Sequence, residues 1–394
     1  MYSFLFKRVP IGRTVRDSTT QPGFLQNPSF LRSISSKASR DQNPFVVSYL
    51  ISSCGFSPAA AISASKKVGF ESSDGPDSVL TLFRNYGFTE AEISSLIRKC
   101  PLLLVASPTK LLLPKLEFFH SFGLSNRNIA KILSSDPRVL FFSLENKIIL
   151  SFNFLKSLVG TVENVVFGLK RQARFISCDI QNVARNIAFL RENGVPESNI
   201  VSLLTKYPRT VTPKNNRFKQ ILKVIQQMGF DPSKSLFIIA LNGFVSMNKA
   251  TWNQKLEAYR RWGFSEYDIL IAFRRYPWFM TPSEKKIMNH MDFFVNKMGW
   301  ERAVIIRYPQ LLMFSLEKRI LPRCSVLQVL ILKGLVKEDL KIGRLMIRSE
   351  KYFLEKFVTK YEKEVPHLLD LYKGNNSQLG LEDGTEEEGW KNPL

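Results

Sequence analysis

Basic side chains recur beside a repeated X-Pro step, and they are the residues in this chain best suited to do chemistry. The candidates, each within three residues of that step or its equivalent, are Arg98, Lys99, Arg138, Lys170, Arg171, Arg174, Lys206, Arg209, Arg274, Arg275 and Arg307. Ammonium and guanidinium groups at regular spacing neutralise successive phosphates and gain affinity from counterion release. The pattern therefore predicts a phosphate-binding surface.

A local explanation competes with this interpretation at each position. Cations near a helix C-terminus are favoured by the helix dipole by about 0.3 to 1 kcal/mol, whatever the protein binds. Because that effect is small, the whole column indicates ligand binding more strongly than any one member does. Tyr207, Tyr276 and Tyr308 precede prolines in the same column. They either stack on exposed bases or fill space between helices.

Residues for catalysis or metal binding are not arranged in any recognisable pattern. His120, His290 and His367 are the only histidines, and none has metal-ligand spacing. The four cysteines lie far apart without a C-x-x-C pair, and the sequence contains no P-loop, G-x-S-x-G or G-x-G-x-x-G. We therefore expect no enzymatic activity, no metal and no cofactor.

Glycines at a nearly constant interval indicate which elements position these side chains. The series is Gly55, Gly87, Gly123, Gly160, Gly194, Gly229, Gly263, Gly299 and Gly334, and all but Gly160 are followed by a large apolar residue. Successive glycines are 32 to 37 residues apart. A period this steady predicts an array of repeats, each ended by a glycine that closes a helix.

The segment from Gly87 to Gly123 illustrates one repeat. Thr89 and Glu92 have the spacing of a capping box, which predicts a helix start directly after Thr89. Apolar residues then follow at helical spacing until Pro101, which disfavours helix in the residue before it. A short apolar turn and a second amphipathic helix complete the repeat.

Other repeats use the same signals. Their predicted helix starts are Ser265-x-x-Asp268, Asp231-Pro232 and Ser57-Pro58, and their mid-repeat prolines are Pro137, Pro208, Pro277 and Pro309. Two repeats have Ala173 and Asn242 in place of the proline. Because a helix pair of this length cannot bury its apolar stripe alone, the repeats must stack. The prediction is an all-α superhelical solenoid of about eight to nine two-helix repeats with a period of about 35 residues.

The excess of positive charge belongs to the repeats. Of the net charge of +22, residues 1–40 contribute +6 and residues 374–394 contribute −4, which leaves +20 for residues 41–373. A field of this sign attracts polyanions, chiefly nucleic acid or anionic membrane. The longest charge-free stretch is interrupted by Gly55 and Pro58 and predicts no membrane helix.

The two ends differ in composition from the repeats. Residues 1–40 are rich in Arg and Ser and contain one acid, which is typical of an organelle transit peptide; the alternative is a basic disordered segment without an address. The spread of arginines favours the mitochondrion over the chloroplast. Residues 374–394 are acidic and poor in apolar residues, which predicts a disordered tail that either shields the basic groove or has no role. The predicted solenoid occupies residues 41–373.

Several stretches resemble the mitochondrial transcription termination factor family, especially its plant members. Besides the Gly-Phe-Ser/Thr opening and the X-Pro step, they are Leu113–Phe119, Tyr259–Glu266, Phe293–Trp300, Ser315–Val326 and Ser349–Phe357. The resemblance covers about residues 45–373. It implies a right-handed superhelix whose basic concave side holds nucleic acid, in a nucleus-encoded protein of mitochondria or chloroplasts. The repeats at Ala173 and Asn242 depart from the family pattern, so the resemblance does not determine their curvature or their groove contacts.

Three functions are consistent with these features. The favoured one is a monomeric factor that binds double-stranded DNA in mitochondria and regulates or terminates transcription, using phosphate contacts for position. The alternative is an RNA-binding factor for intron splicing or transcript maturation, in which stacking and 2′-hydroxyl contacts matter more. The third is a helical scaffold for protein partners, whose groove need not be basic.

Overall fold

The computed structural model describes residues 43–337 and 341–374, and all regular secondary structure in these two ranges is helical. This confirms the predicted all-α class. The predicted transit segment, residues 1–40, and the acidic tail after Gly374 lie outside the described residues.

Twenty α-helices in the described residues are linked by short 3₁₀ turns and π-helical segments. The α-helices are α1 (Pro44–Ser52), α2 (Pro58–Ser65), α3 (Asp74–Asn85), α4 (Glu90–Lys99), α5 (Leu113–Ser121), α6 (Asn126–Ser135), α7 (Leu150–Val159), α8 (Val162–Arg171), α9 (Ile180–Glu192), α10 (Glu197–Lys206), α11 (Asn215–Gln227), α12 (Ser235–Ser246), α13 (Lys249–Arg261), α14 (Glu266–Arg275), α15 (Glu284–Met291), α16 (Arg302–Arg307), α17 (Leu321–Leu332), α18 (Ile342–Met346), α19 (Glu350–Phe353) and α20 (Leu368–Lys373). The 3₁₀ turns are Pro101–Val105, Pro137–Phe141, Ala173–Ser177, Pro208–Val211, Pro277–Met280, Pro309–Met313 and Thr359–Tyr361. The π-helical segments are Pro108–Leu112, Leu144–Ile149, Asp292–Lys297, Leu316–Ile320 and Leu354–Val358.

The nine spaced glycines all end helices in the left-handed region, with φ between +64° and +83°. At Gly87 the next amide, of Phe88, donates back to the Phe83 carbonyl at 3.1 Å, and the two rings lie 5.1 Å apart. This is the Schellman geometry, in which an apolar residue after the glycine packs on the helix that has just ended. The same contact explains why a large apolar residue follows nearly every glycine in the series.

The predicted helix starts are confirmed at three of four positions. Capping boxes form at Thr89 and Ser265, and α2 begins at Pro58. The start at Asp231-Pro232 is wrong, because α12 begins only at Ser235. The Asp231 carboxylate accepts a hydrogen bond from the Ser233 amide at 2.9 Å, which closes a local turn in place of a helix cap.

The two repeats without a proline differ from each other. Ala173 begins a 3₁₀ turn like the prolines do, and the backbone of Gln172 before it (φ −150°, ψ 81°) matches that of Cys100 before Pro101 (φ −146°, ψ 78°). Asn242 instead lies within the continuous helix α12, which passes to the cap of α13 without a 3₁₀ turn. The 3₁₀ turn therefore forms at Ala173 without proline and is lost at Asn242.

The described residues form two compact units that meet within α11. In the N-terminal unit, which ends at Lys219, the first helices of successive repeats pack side by side in the order α4, α6, α8, α10. In the C-terminal unit, which starts at Gln220, α14 packs on α16 and α13 packs on α15. Side-by-side stacking of equivalent helices confirms the predicted repeat array.

Candidate nucleic-acid interface

The 3₁₀ turns explain why a basic residue can project from each repeat. Counting the residue that starts the turn as the first, the third and fourth residues are buried, as Val139 and Leu140 are in the turn that begins at Pro137. The second residue points outward, and in three successive turns of the N-terminal unit it is Arg138, Arg174 and Arg209. The packing of the turn thus leaves one outward position per repeat, and here the sequence fills it with arginine.

These three arginines line one recess of about 1000 Å³ in the N-terminal unit. Lys147 lines it too, and its ammonium group donates to the Cys178 carbonyl at 3.1 Å. Amide side chains and aromatic rings complete the wall, among them Asn146, Gln172, Gln181, Asn182, Phe142 and Phe175. A recess with several cations, amide donors and planar rings suits an anionic ligand that also carries flat groups.

Asp136 lies among these cations. Its carboxylate accepts from Arg138 Nε at 2.7 Å and Nη2 at 2.9 Å, and lies 3.5 Å from Arg174 Nε. The Asp136 side chain is 10% exposed, whereas that of Arg138 is 54% exposed. The hydrogen bond to Asp136 raises the pKa of the Arg138 guanidinium. Burial is the largest cause that lowers the pKa of Arg174. Repulsion from Arg138 lowers it further, and Arg209 adds a smaller repulsion.

The other predicted residues of the N-terminal unit lie on the first helices of their repeats. Arg98 and Arg171 lie over the rings of Phe56 and Phe167, at 5.5 Å and 4.9 Å from the ring centres. Lys99 donates to the Ser134 carbonyl near the end of α6. The remaining members are the half-buried Lys170 and the exposed Lys206.

In the C-terminal unit the outward position of the turn is not basic, since Trp278 and Gln310 occupy it. The predicted residues there are exposed and lie at the ends of α14 and α16. Arg274 donates to the Gly229 carbonyl at 3.4 Å, and Arg275 donates to the carbonyls of Ile306 and Arg307 at 3.2 and 3.0 Å. Arg274 and Arg275 line a second, smaller recess of about 440 Å³.

Two of the candidates stabilise a helix C-terminus, as the local explanation requires, but the helix belongs to the next repeat. Lys99 and Arg275 each donate to the last carbonyls of the first helix in the next repeat, α6 and α16, and not to those of their own helix. Both side chains remain exposed. Among the eleven candidates, only Arg138 and Arg174 form ion pairs with acidic groups of the described residues.

The tyrosines before the prolines are half-buried. Tyr308 packs so closely on Gly343 of α18 that a methyl group there would lie 2.7 Å from its ring. This contact favours the space-filling interpretation for Tyr308. Burial raises the pKa of Tyr207, partly opposed by Arg171.

A second row of polar residues was missed by sequence reasoning. Each lies on the second helix of a repeat. At the end of the next repeat's turn, Lys147 donates to Cys178, Asn186 to Val211 and Pro213, and Lys255 to Thr281 and Pro282, while His290 Nε2 lies 2.8 Å from the Phe314 carbonyl. Arg323 donates to Met346 and Arg348, at the end of α18 and just beyond it. These bonds fix one turn relative to the next. The available signal was a polar residue within an otherwise buried stripe.

Metal binding, thiol reactivity and membrane crossing find no support in the described ranges. No cluster of three or more His, Cys, Asp or Glu there could hold a metal ion. Burial raises the pKa of the Cys100 and Cys178 thiols to about 11, so both are protonated and unreactive at neutral pH. None of the helices in residues 43–337 and 341–374 is long and apolar enough to cross a bilayer.

Comparison with known proteins identifies relatives of this chain by sequence. The sequence profile of the mTERF family matches residues 80–242 and 236–354. The chain is 22% identical over 228 residues to transcription termination factor MTERF8, chloroplastic, of Arabidopsis thaliana, covering 57% of this chain and 45% of that protein. It is 21% identical over 319 residues to transcription termination factor MTERF15, mitochondrial, of the same plant, covering 79% and 63%. It is 20% identical over 286 residues to the human mitochondrial transcription termination factor 2, covering 68% and 62%. The matches thus span about half to two thirds of these relatives.

Proposed function

Because this chain belongs to the mTERF family, we propose that it binds double-stranded DNA in the mitochondrion and there regulates or terminates transcription. The relatives are named as termination factors of mitochondria or chloroplasts, which supports a nucleic-acid-binding regulator of transcription in an organelle. Their names are those of transcription factors and not of enzymes, in agreement with the expected lack of catalysis. The proposal goes beyond the names of these relatives in three respects: the ligand is duplex DNA, the organelle is the mitochondrion, and the protein is a monomer.

The observation that carries the proposal is the recess shared by Arg138, Arg174 and Arg209. Three successive repeats each place one guanidinium there from the same position of the turn. Arginine binds phosphate with two parallel hydrogen bonds, so a run of arginines can follow a phosphate backbone. Phosphate contacts position a protein on nucleic acid, and base contacts or deformation of the duplex then supply sequence preference.

Competition between nucleic acids tests the choice of ligand. A labelled duplex DNA bound to the full chain is displaced by unlabelled DNA duplex, RNA duplex or single-stranded RNA of the same sequence, at about 150 mM salt. We expect the DNA duplex to compete best. Preferential displacement by RNA would assign the recess to transcripts, and absence of nucleic-acid binding would favour a protein-binding scaffold.

A triple substitution tests the column itself. We expect R209A/R274A/R307A to weaken duplex binding and to flatten the plot of log affinity against log salt, by about 0.9 for each phosphate that is no longer neutralised. The matched control is R127A/R185A/K223A, which removes three exposed positive charges that lie ten or more residues along the chain from the X-Pro steps. An unchanged salt slope in the first variant, or equal flattening in both, would reject the column as the interface.

A further inference from the structure

Asp136 is an acid within a column of bases. It occupies the position before the 3₁₀ turn, where the other turns have Cys100, Gln172, Tyr207, Tyr276 and Tyr308. It also caps the C-terminus of α6, where the helix dipole disfavours a negative charge. Its local role is to cap the 3₁₀ turn that follows, since its side chain accepts from the Arg138 amide, but an asparagine would serve that role without a charge.

The partners of Asp136 indicate what it does. Its two oxygens accept from the Arg138 guanidinium in a bidentate manner, and the Arg138 amide donates to Oδ1 at 3.3 Å. Arg174, from the next repeat, approaches the other oxygen. A carboxylate bound in this way uses the same guanidinium fork that would bind a phosphate. Asp136 thus already engages two of the three arginines that line the recess.

Arg209 provides the contrast. It occupies the same position of its turn as Arg138, is exposed, and forms no ion pair with any acidic residue of the described chain. Tyr207 replaces the acid at the corresponding place before its turn. One recess therefore contains an arginine available to an incoming phosphate and two that are held by an internal anion.

We propose that Asp136 competes with nucleic-acid phosphates for Arg138 and Arg174 and thereby weakens phosphate binding by this recess. The inference rests on the proposed function. Binding to nucleic acid of arbitrary sequence derives mainly from phosphate contacts, so a carboxylate that already engages two guanidinium groups lowers the number of phosphates that this recess neutralises.

The experiment compares D136N with D179N. Asp179 lines the same recess, is exposed, and caps α9 by accepting from the Asn182 amide at 3.1 Å. Asparagine preserves that cap, so D179N removes the same charge from the recess without releasing an arginine. The probe is a 30-base-pair duplex of random sequence, titrated over a series of salt concentrations.

We expect D136N to bind the random duplex more tightly and to steepen the salt slope by about 0.9 to 1.8, which corresponds to the neutralisation of one or two further phosphates. D179N releases no arginine and is expected to change the slope by less than D136N does. Equal slopes for the two variants, or weaker binding by D136N, would overturn the inference while the proposed function stands. Absence of binding by the wild type would overturn both.

A second comparison keeps the test decisive if D136N does not fold. In the wild-type background, R209Q is expected to flatten the salt slope by about 0.9, whereas R138Q changes it less because Asp136 already engages Arg138. Both arginines are exposed and occupy the same position of their turns. If R138Q and R209Q flatten the salt slope equally, this result contradicts the inference that Asp136 competes with phosphates for Arg138.

Discussion

Individual polar residues in the core of the repeats fix the turns, and among them His290 has an ordinary pKa near neutral pH. Its side chain is 4% exposed, with Nδ1 at 2.9 Å from the Lys286 carbonyl and Nε2 at 2.8 Å from the Phe314 carbonyl. Burial lowers the pKa of His290, with a further contribution from Lys286, while the two carbonyls and Glu317 act in the opposite direction. The folded protein therefore favours the neutral ring, which donates to one of the two carbonyls.

The lowered pKa of His290 predicts how stability depends on pH. The unfolded chain, with a His pKa of about 6.5, binds a proton at a pH where the folded chain does not. The free energy of unfolding is thus highest above that value and falls as the pH decreases from 8 toward 5.5. We expect H290Q to reduce the fall, as measured by urea unfolding. H120Q, which changes an exposed histidine, is the control, and an unaltered fall in H290Q would contradict the assignment.

At the same scale, the sequence located the arginines of the recess but not their partners. The rule that basic residues flank the X-Pro step placed Arg138, Arg174 and Arg209 correctly in equivalent turns. It did not indicate that Asp136 binds two of them, because the contact to Arg174 joins residues of different repeats. Lys255 and Arg323 contribute to the net charge yet are buried against backbone carbonyls. Counting charges along a chain does not separate such residues from those that face a ligand.

At the scale of elements, the helix ends and starts that have strong local signals were predicted, and features without such signals were missed. Glycine at positive φ and a capping box each act within a few residues, so their patterns were sufficient. The segment Leu144–Ile149, which starts a second helix, is capped by Ser143, whose side chain accepts from the Asn146 amide, but no sequence pattern indicates its π-helical geometry. The turn at Ala173 forms without proline, and the helix through Asn242 continues where other repeats have a turn. The absence of proline alone therefore does not decide whether a repeat forms the turn.

The two repeats without proline give opposite predictions for the same substitution. Ala173 starts a 3₁₀ turn and the residue before it already has the backbone of a residue preceding proline, so A173P restricts the unfolded chain without strain. We expect it to increase the free energy of unfolding by about 0.4 to 1 kcal/mol. N242P is expected to cost about 3 kcal/mol or more, because it removes a hydrogen bond within α12. Urea unfolding followed by circular dichroism measures both, and destabilisation by A173P would show that its turn differs from the proline turns.

For the whole molecule, charge is the property that the sequence determined most completely. The net charge of +22 requires no structure to count, and the ion pairs of the described residues are mostly between exposed groups, which contribute little to stability. Self-repulsion among the excess cations destabilises the folded chain. The same cations bind a polyanion with release of counterions.

These two effects predict that added salt changes stability in opposite directions without and with ligand. For the protein alone, raising salt from about 50 to 200 mM screens self-repulsion, and we expect the melting temperature to rise. With duplex DNA at about 100 times the dissociation constant, binding adds about 2.7 kcal/mol at low salt. A protein that neutralises about six or more phosphates has its affinity reduced by about 10³ or more over the same range, so the melting temperature of the complex falls. Thermal denaturation at both salt concentrations measures the two trends. A complex whose melting temperature rises with salt as that of the protein alone does would contradict a binding surface built on phosphate neutralisation.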